Sequence, residues 1–228
     1  MPAGRILRGM DAAPRLIYLH GFASSPGSNK ATRFAEAVRR KGVAVEVPDL
    51  NEGDFRNLTL SRQLRLVERL AAGDAPLVMV GSSMGGYVAA LHAAREPRVV
   101  ALVLLAPAFD FHRRWIERVG DSVAAEWQRR GWMPVMHYAT NQMEFIGWSL
   151  IEDAGRHAAF PEVTVPTLLI HGRRDETVDP GGSLRYAAGR PNVELVLLDS
   201  DHSLADAADE IVSRACRFLA PWFPALEG

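Results

Sequence analysis

The sequence holds a single cysteine, Cys216, among 228 residues. An intrachain disulfide is thereby excluded, and a lone thiol fits a reducing compartment. Its place on an apolar-periodic C-terminal segment reads as a small buried side chain rather than a nucleophile. Long hydrophobic runs are missing as well. No stretch approaches the ~20 apolar residues of a membrane span, and residues 1–14 carry two arginines but no apolar signal-peptide core. The sequence thus predicts no signal peptide and a cytoplasmic location. Charge of one sign is also absent, since 26 Lys and Arg are mixed with 27 Asp and Glu. With no basic stripe, nucleic acid is not an expected partner. There is no H-E-x-x-H, so no metal site is expected. The sequence does not fix an oligomeric state.

What is present is regular. Hydrophobic residues make up 48% of the chain, enough for one large α/β domain spanning 1–228. Short apolar runs at Arg15–His20, Val43–Val47, Leu77–Val80, Val99–Leu105, Val165–His171 and Val193–Leu198 read as six strands. Such near-continuous runs suit strands covered on both faces. Helical patterns at Ser28–Lys41, Leu60–Ala72, Tyr87–Arg95, Gly181–Gly189 and about Leu204–Leu219 alternate with them. The alternation predicts a mainly parallel, doubly wound sheet. An edge strand around Arg5–Arg8 is a weaker expectation. Residues 108–161 break the order. They show no apolar β run, read as helical, and hold four of the five tryptophans. They are expected to form a helical cap inserted between the fourth and fifth strands.

Four loops follow strands and so fall on one edge of the sheet, where ligands of such folds bind. One is Gly81-Ser82-Ser83-Met84-Gly85, a strand–turn–helix of the G-x-S-x-G type that exposes a serine on a strained turn. Ser83 is the candidate nucleophile. A serine hydroxyl attacks only when a base takes its proton. His202, in Asp199-Ser200-Asp201-His202-Ser203 after the last strand, is the candidate base. His92 lies on the helix behind the turn, His171 ends a strand, and His112, His137 and His157 fall in the insert. The orienting carboxylate should come from the loop after the fifth strand, where Asp175 is favoured. Asp179, before Pro180, reads as a helix cap, and Asp201 is an alternative beside His202 itself. The Met84 amide and one from the His20-Gly21-Phe22 loop, that of Phe22, are the candidate oxyanion donors. Trp115, Trp132, Met136, Phe145 and Trp148 are the candidate apolar wall over Ser83. Arg113-Arg114 and Arg129-Arg130 read as solvated, with an acidic substrate group as the alternative.

With these residues in place, the chain resembles the α/β-hydrolase superfamily from about residue 15 to its end. More narrowly it is similar to small bacterial esterases with an HGF-x-SSP-x-S-x-KA opening, here His20–Ala31, and a GSS-x-GG turn, here Gly81–Gly86. It also resembles the acyl-glucuronide esterase and depalmitoylase branch through Leu150–His157 and Ser200–His202. The resemblance implies a serine esterase or thioesterase that needs no cofactor, with Ser83, Asp175 and His202 as triad and Phe22 and Met84 as oxyanion donors. It departs from the superfamily in its short N-terminal stretch, so a minimal form of the sheet is expected. The expected substrate is a small ester with a short to medium acyl chain. Alternatives are another reaction of the same triad (carbon–carbon bond, amide or perhydrolysis) or a ligand-binding receptor.

Overall fold

The computed structural model describes residues 12–227, so the edge strand expected at Arg5–Arg8 lies outside the described residues. A six-stranded sheet forms the frame. Its strands are β1 (Arg15–Leu19), β2 (Val45–Glu46), β3 (Leu77–Ser82), β4 (Val99–Leu105), then β7 (Thr167–Gly172) and β8 (Val193–Leu198). They run in the order β2-β1-β3-β4-β7-β8, and every neighbouring pair is parallel. Between β4 and β7 an antiparallel hairpin is formed by β5 (Trp132–His137) and β6 (Gln142–Gly147).

Every residue of β3, β4 and β7 is buried. Side chains alternate across a strand, and here each alternate set belongs to a separate core. Ile17, Leu19, Met79, Leu102, Leu104 and Leu169 pack on one face, against α2 (Leu60–Leu70) and α3 (Met84–Ala93). Leu16, Tyr18, Val78, Val80, Val103 and Ile170 pack on the other, against α1 (Asn29–Arg40) and α8 (Ala208–Leu219). This explains why the sequence shows continuous apolar runs instead of alternation. The second strand is shorter than expected, with only Val45 and Glu46 paired to β1. Among the described residues it is the edge strand, with a strand neighbour on one side alone.

The excursion between β4 and β7 differs from the all-helical expectation. It contains α4 (Phe111–Val119), α5 (Asp121–Arg130), the β5–β6 hairpin and α6 (Ser149–Ala154), and α7 (Gly181–Ala187) follows between β7 and β8. The hairpin escaped the sequence reading because Met, Gln and Glu interrupt its β-branched content, and Pro134 sits within it. Pro134 is exposed, on the strand face turned away from the core. The inner face, Met133, Val135, His137 and Ile146, rests on the body, where His137 meets Phe55 edge-on at 4.7 Å. Trp127 pins the excursion from inside. Its indole N–H donates to Ile146 O at 3.1 Å and its ring meets Trp148 edge-on at 5.3 Å.

Another Ser-Asp-His set docks α6 onto α2. Ser61 donates its backbone N–H and its hydroxyl to Asp153, at 2.8 and 2.6 Å, and lies 3.1 Å from His157 Nε2. Here the carboxylate sits on the serine and not behind the histidine, so the set caps a helix start and has no relay geometry.

Candidate active site

Strand order reverses between β1 and β3, which places the crevice of the sheet at their carboxyl ends. Leu19 of β1 pairs with Gly81 of β3, so the loop after β1 lies beside Ser83. Ser83 adopts φ 55°, ψ −120°, a conformation that side-chain-bearing residues seldom occupy. The turn can form only because its glycines lack side chains. A Cβ on Gly81 would stand 2.4 Å from Gly85 O, and one on Gly85 would stand 2.3 Å from His20 O. Backbone bonds then lock the turn, with Ser83 N–H donating to Leu105 O at 2.8 Å.

Gly172 of β7 pairs with Leu198 of β8, which brings the two following loops side by side. Asp175 Oδ2 accepts a hydrogen bond from His202 Nδ1 at 2.7 Å. The other ring nitrogen, Nε2, is the one left for a substrate-side proton. Asp175 Oδ1 accepts the backbone N–H groups of Thr177 and Val178 at 2.9 and 2.8 Å. Burial alone would push this carboxyl up. Hydrogen bonds from His171, His202 and the Val178 amide outweigh it and hold the group well below the usual carboxylate range. The alternative acids are otherwise engaged. Asp179 accepts Gly181 N–H at 2.9 Å and pairs with Arg114 at 2.8 Å. Asp201 accepts Ser203 N–H and its hydroxyl, at 2.8 and 2.6 Å, within its own loop.

The loop after β1 is held by His20. Its Nδ1–H donates to Gly21 O at 2.9 Å, and its Nε2 accepts Leu50 N–H at 3.0 Å. Burial pushes the imidazole down, against the hydrogen bond to Gly21 O and the nearby Asp49, which suits this neutral form. Among the described residues, neither the Phe22 nor the Met84 N–H donates to a backbone carbonyl. Two backbone donors flanking Ser83 are therefore uncommitted.

Ser83 and His202 open into one cavity of about 590 Å³, walled by Phe22, Phe109, Phe111, Trp115, Val135, Met136 and Val178, with Arg114, Arg118, Glu117, Glu176 and Asp179 also on its lining. Of the seven histidines, only His202 lines it. A second depression of about 650 Å³ lies between α1 and α8, and no residue of these loops lines it. Of the five cap residues expected over Ser83, Trp115 and Met136 reach the cavity, whereas Trp132, Phe145 and Trp148 do not. Trp132 shares a strand face with Met136 but lies four residues back, about 13 Å along the strand, at the base of the hairpin. There it packs edge-on against Phe145 at 4.5 Å. Trp148 is spent on Trp127. Sequence reasoning missed Phe109, Phe111 and Val178, which carry no motif signal. Of the paired arginines, Arg113 pairs with Asp110 and Glu117, and Arg129 and Arg130 with Glu126, at the surface, whereas Arg114 lies on the cavity lining and pairs with Asp179.

A sequence model of the uncharacterised protein family UPF0227 matches residues 15–220. The chain belongs to family UPF0227. The match spans every element of the sheet and all four loops. Like other relatives of this UPF0227 chain, the palmitoyl-protein thioesterase ABHD10 of Rattus norvegicus, described as mitochondrial, is a hydrolase. It is 29% identical, with 86% of this chain and 71% of the rat protein covered. The pimeloyl-[acyl-carrier protein] methyl ester esterase of Stenotrophomonas maltophilia (strain K279a) is 27% identical, covering 93% of this chain and 95% of its own. The solved structure of mouse alpha/beta hydrolase domain-containing protein 10 shares the fold. Its TM-score is 0.77 at 23% identity, over 92% of this chain and 90% of that one. The UPF0227 chain is thus a hydrolase of the α/β-hydrolase superfamily.

Proposed function

We propose that the protein is a serine esterase or thioesterase acting through an acyl-enzyme at Ser83. The observation that carries this reading is the shared cavity: Ser83, His202 and Phe22 all line it, with Asp175 behind His202. In this reading His202 Nε2 takes the Ser83 proton as Oγ attacks the acyl carbon. Asp175 keeps the imidazole in the tautomer that can accept it. The N–H groups of Phe22 and Met84 receive the developing oxyanion, each worth about 3–4 kcal/mol of transition-state stabilisation. The protonated His202 gives its proton to the departing alkoxide or thiolate. A water activated by the same imidazole then releases the acid and restores Ser83.

The names of the relatives support acyl C–O or C–S cleavage, one being a methyl ester esterase and the other a thioesterase. Residues 108–161 serve as the cap, and the cavity they close has mainly aromatic and aliphatic walls, with charged residues also on its lining, and is of ordinary ligand-site size. Its volume favours short to medium acyl chains of small-molecule esters. We place the activity in the cytoplasm, as the lone cysteine suggests. Among the described residues no helix is long and apolar enough to cross a membrane.

The test is a panel of p-nitrophenyl esters and acyl thioesters of increasing chain length, run beside Ser83→Ala. The expected result is turnover of C2 to about C8 chains and loss of at least ~10³-fold in Ser83→Ala. Undiminished turnover by Ser83→Ala would overturn the nucleophile.

A further inference from the structure

Lys30 lies in the first turn of α1, the helix that follows the Phe22 loop. Its Nζ donates to the backbone carbonyl of His202 at 3.0 Å, across 172 positions of chain. The two elements follow β1 and β8, which β3, β4 and β7 separate in the sheet. Nearby tethers hold the same loop on either side of His202. Arg174 N–H donates to Ser200 O at 3.0 Å, and Asp201 binds Ser203 and Leu204. These bonds leave the His202 peptide itself untouched.

An ammonium is a costly choice for holding one carbonyl. It carries three donors, and taking it from water is unfavourable unless its charge is used. A lysine with no task here would swing its head into solvent. The charged groups that face it are Asp175, from the loop after β7, and Asp201, from the loop after β8. His202 is the neighbouring titratable ring. Arg33 and Glu36 of its own helix turn instead to the depression beside α8.

We propose that Lys30 is a positioning residue for the base: by gripping the His202 peptide it holds the imidazole in line with Ser83 and Asp175 at once. The role rests on the reading of Ser83, His202 and Asp175 as the reacting groups. It also links the two halves of the site, because one short segment, residues 20–30, then supplies an oxyanion donor and the anchor of the base. Burial pushes the Lys30 ammonium down to about 8, while Asp175 and Asp201 pull it the other way. The grip is therefore charge-assisted below that pH and weaker above it, since a neutral amine is the poorer donor.

Three proteins compared over pH 6–10 test this: wild type, Lys30→Met and Lys30→Arg, with Ser83→Ala as control. Lys30→Met keeps the apolar stem and loses the donor. Its kcat should fall roughly tenfold or more, as expected for a displaced catalytic group, while KM stays within about twofold. Lys30→Arg should recover most of that loss. Wild-type kcat should decline across about pH 8 as the amine loses its proton, and Lys30→Arg should lack that decline because Arg stays charged. Should Lys30→Met fail to fold, the alkaline limb of wild type against Lys30→Arg decides alone. Turnover or fluorophosphonate labelling in Ser83→Ala would remove the Ser83 reading and Lys30's role with it. A dead Ser83→Ala beside a Lys30→Met of wild-type kcat, or an alkaline decline that persists in Lys30→Arg, would overturn the positioning role alone.

Discussion

His171 Nε2 lies 3.1 Å from Asp175 Oδ2, the same oxygen that holds His202. The His171 ring is wholly buried. Its Nε2–H is shared between Asp175 and Val178 O at 2.9 Å, and its Nδ1 accepts the Ser183 hydroxyl at 2.7 Å. Asp175 is thus clamped from behind by one histidine while it orients another.

His171→Phe should therefore act on both stability and rate. It leaves the buried Ser183 hydroxyl unpaired, at a cost of about 1–3 kcal/mol, and takes a partner from the half-buried Val178 O. A urea melt should show the midpoint falling with an unchanged slope. kcat should drop about tenfold with little change in KM. An unchanged kcat in a folded His171→Phe would mean that the Thr177 and Val178 amides suffice to set Asp175.

Asp175→Asn should lose roughly 10⁴-fold in kcat, because the wrong imidazole tautomer then faces Ser83. Asp179→Asn should lose less than about tenfold, since its carboxylate serves Arg114 and the Gly181 amide. Steady-state kinetics of the pair ranks them, and the reverse order would move the acid to Asp179.

The same carboxyl makes a prediction about acid stability. Its folded-state pKa is depressed, so its contribution is present above its unfolded value of about 3.9 and drains away as pH falls below it. Wild type should lose more stability between pH 5 and about pH 2 than Asp175→Asn does. Parallel curves of melting temperature against pH for the two proteins would contradict this.

Gly85→Ala should not yield a native fold, because the new Cβ would meet the Leu19 and His20 carbonyl oxygens at 2.3 Å. Backbone on both sides leaves no flexible neighbour to yield, so a loss beyond about 4 kcal/mol is expected. Soluble yield and near-ultraviolet circular dichroism provide the check. A well-folded variant would mean that α3 can withdraw from the sheet edge.

The aromatics of the excursion should divide by place. Trp115→Ala opens the cavity beside Phe22 and should shift the chain-length optimum of the ester panel. Trp127→Ala should cost about 3–5 kcal/mol and leave the optimum of any folded fraction where it was. Trp132→Ala, on the hairpin's outer face, should change neither by much. A changed optimum in Trp132→Ala would indicate that the hairpin closes further over Ser83 when substrate binds.

Much of the frame could be read from the chain because its strands are buried on both faces. Leu77–Val80 and Val99–Leu105 announce themselves as unbroken apolar runs, and parallel strands then put all following loops on one edge. The Gly81–Gly85 turn was legible because close backbone approach excludes every side chain but hydrogen at Gly81 and Gly85. The hairpin at 132–147 was not, since its strands pair only with each other and five of their twelve residues are exposed. Which tryptophans line the cavity depends on strand face and on distance along the hairpin, and neither is written in residue type. The contacts of Asp175 with His171 and of Lys30 with His202 depend on where loops from different strands meet. Local sequence sets what a segment prefers to be. The joining of distant side chains follows from packing the whole sheet, and only the tertiary structure decided it.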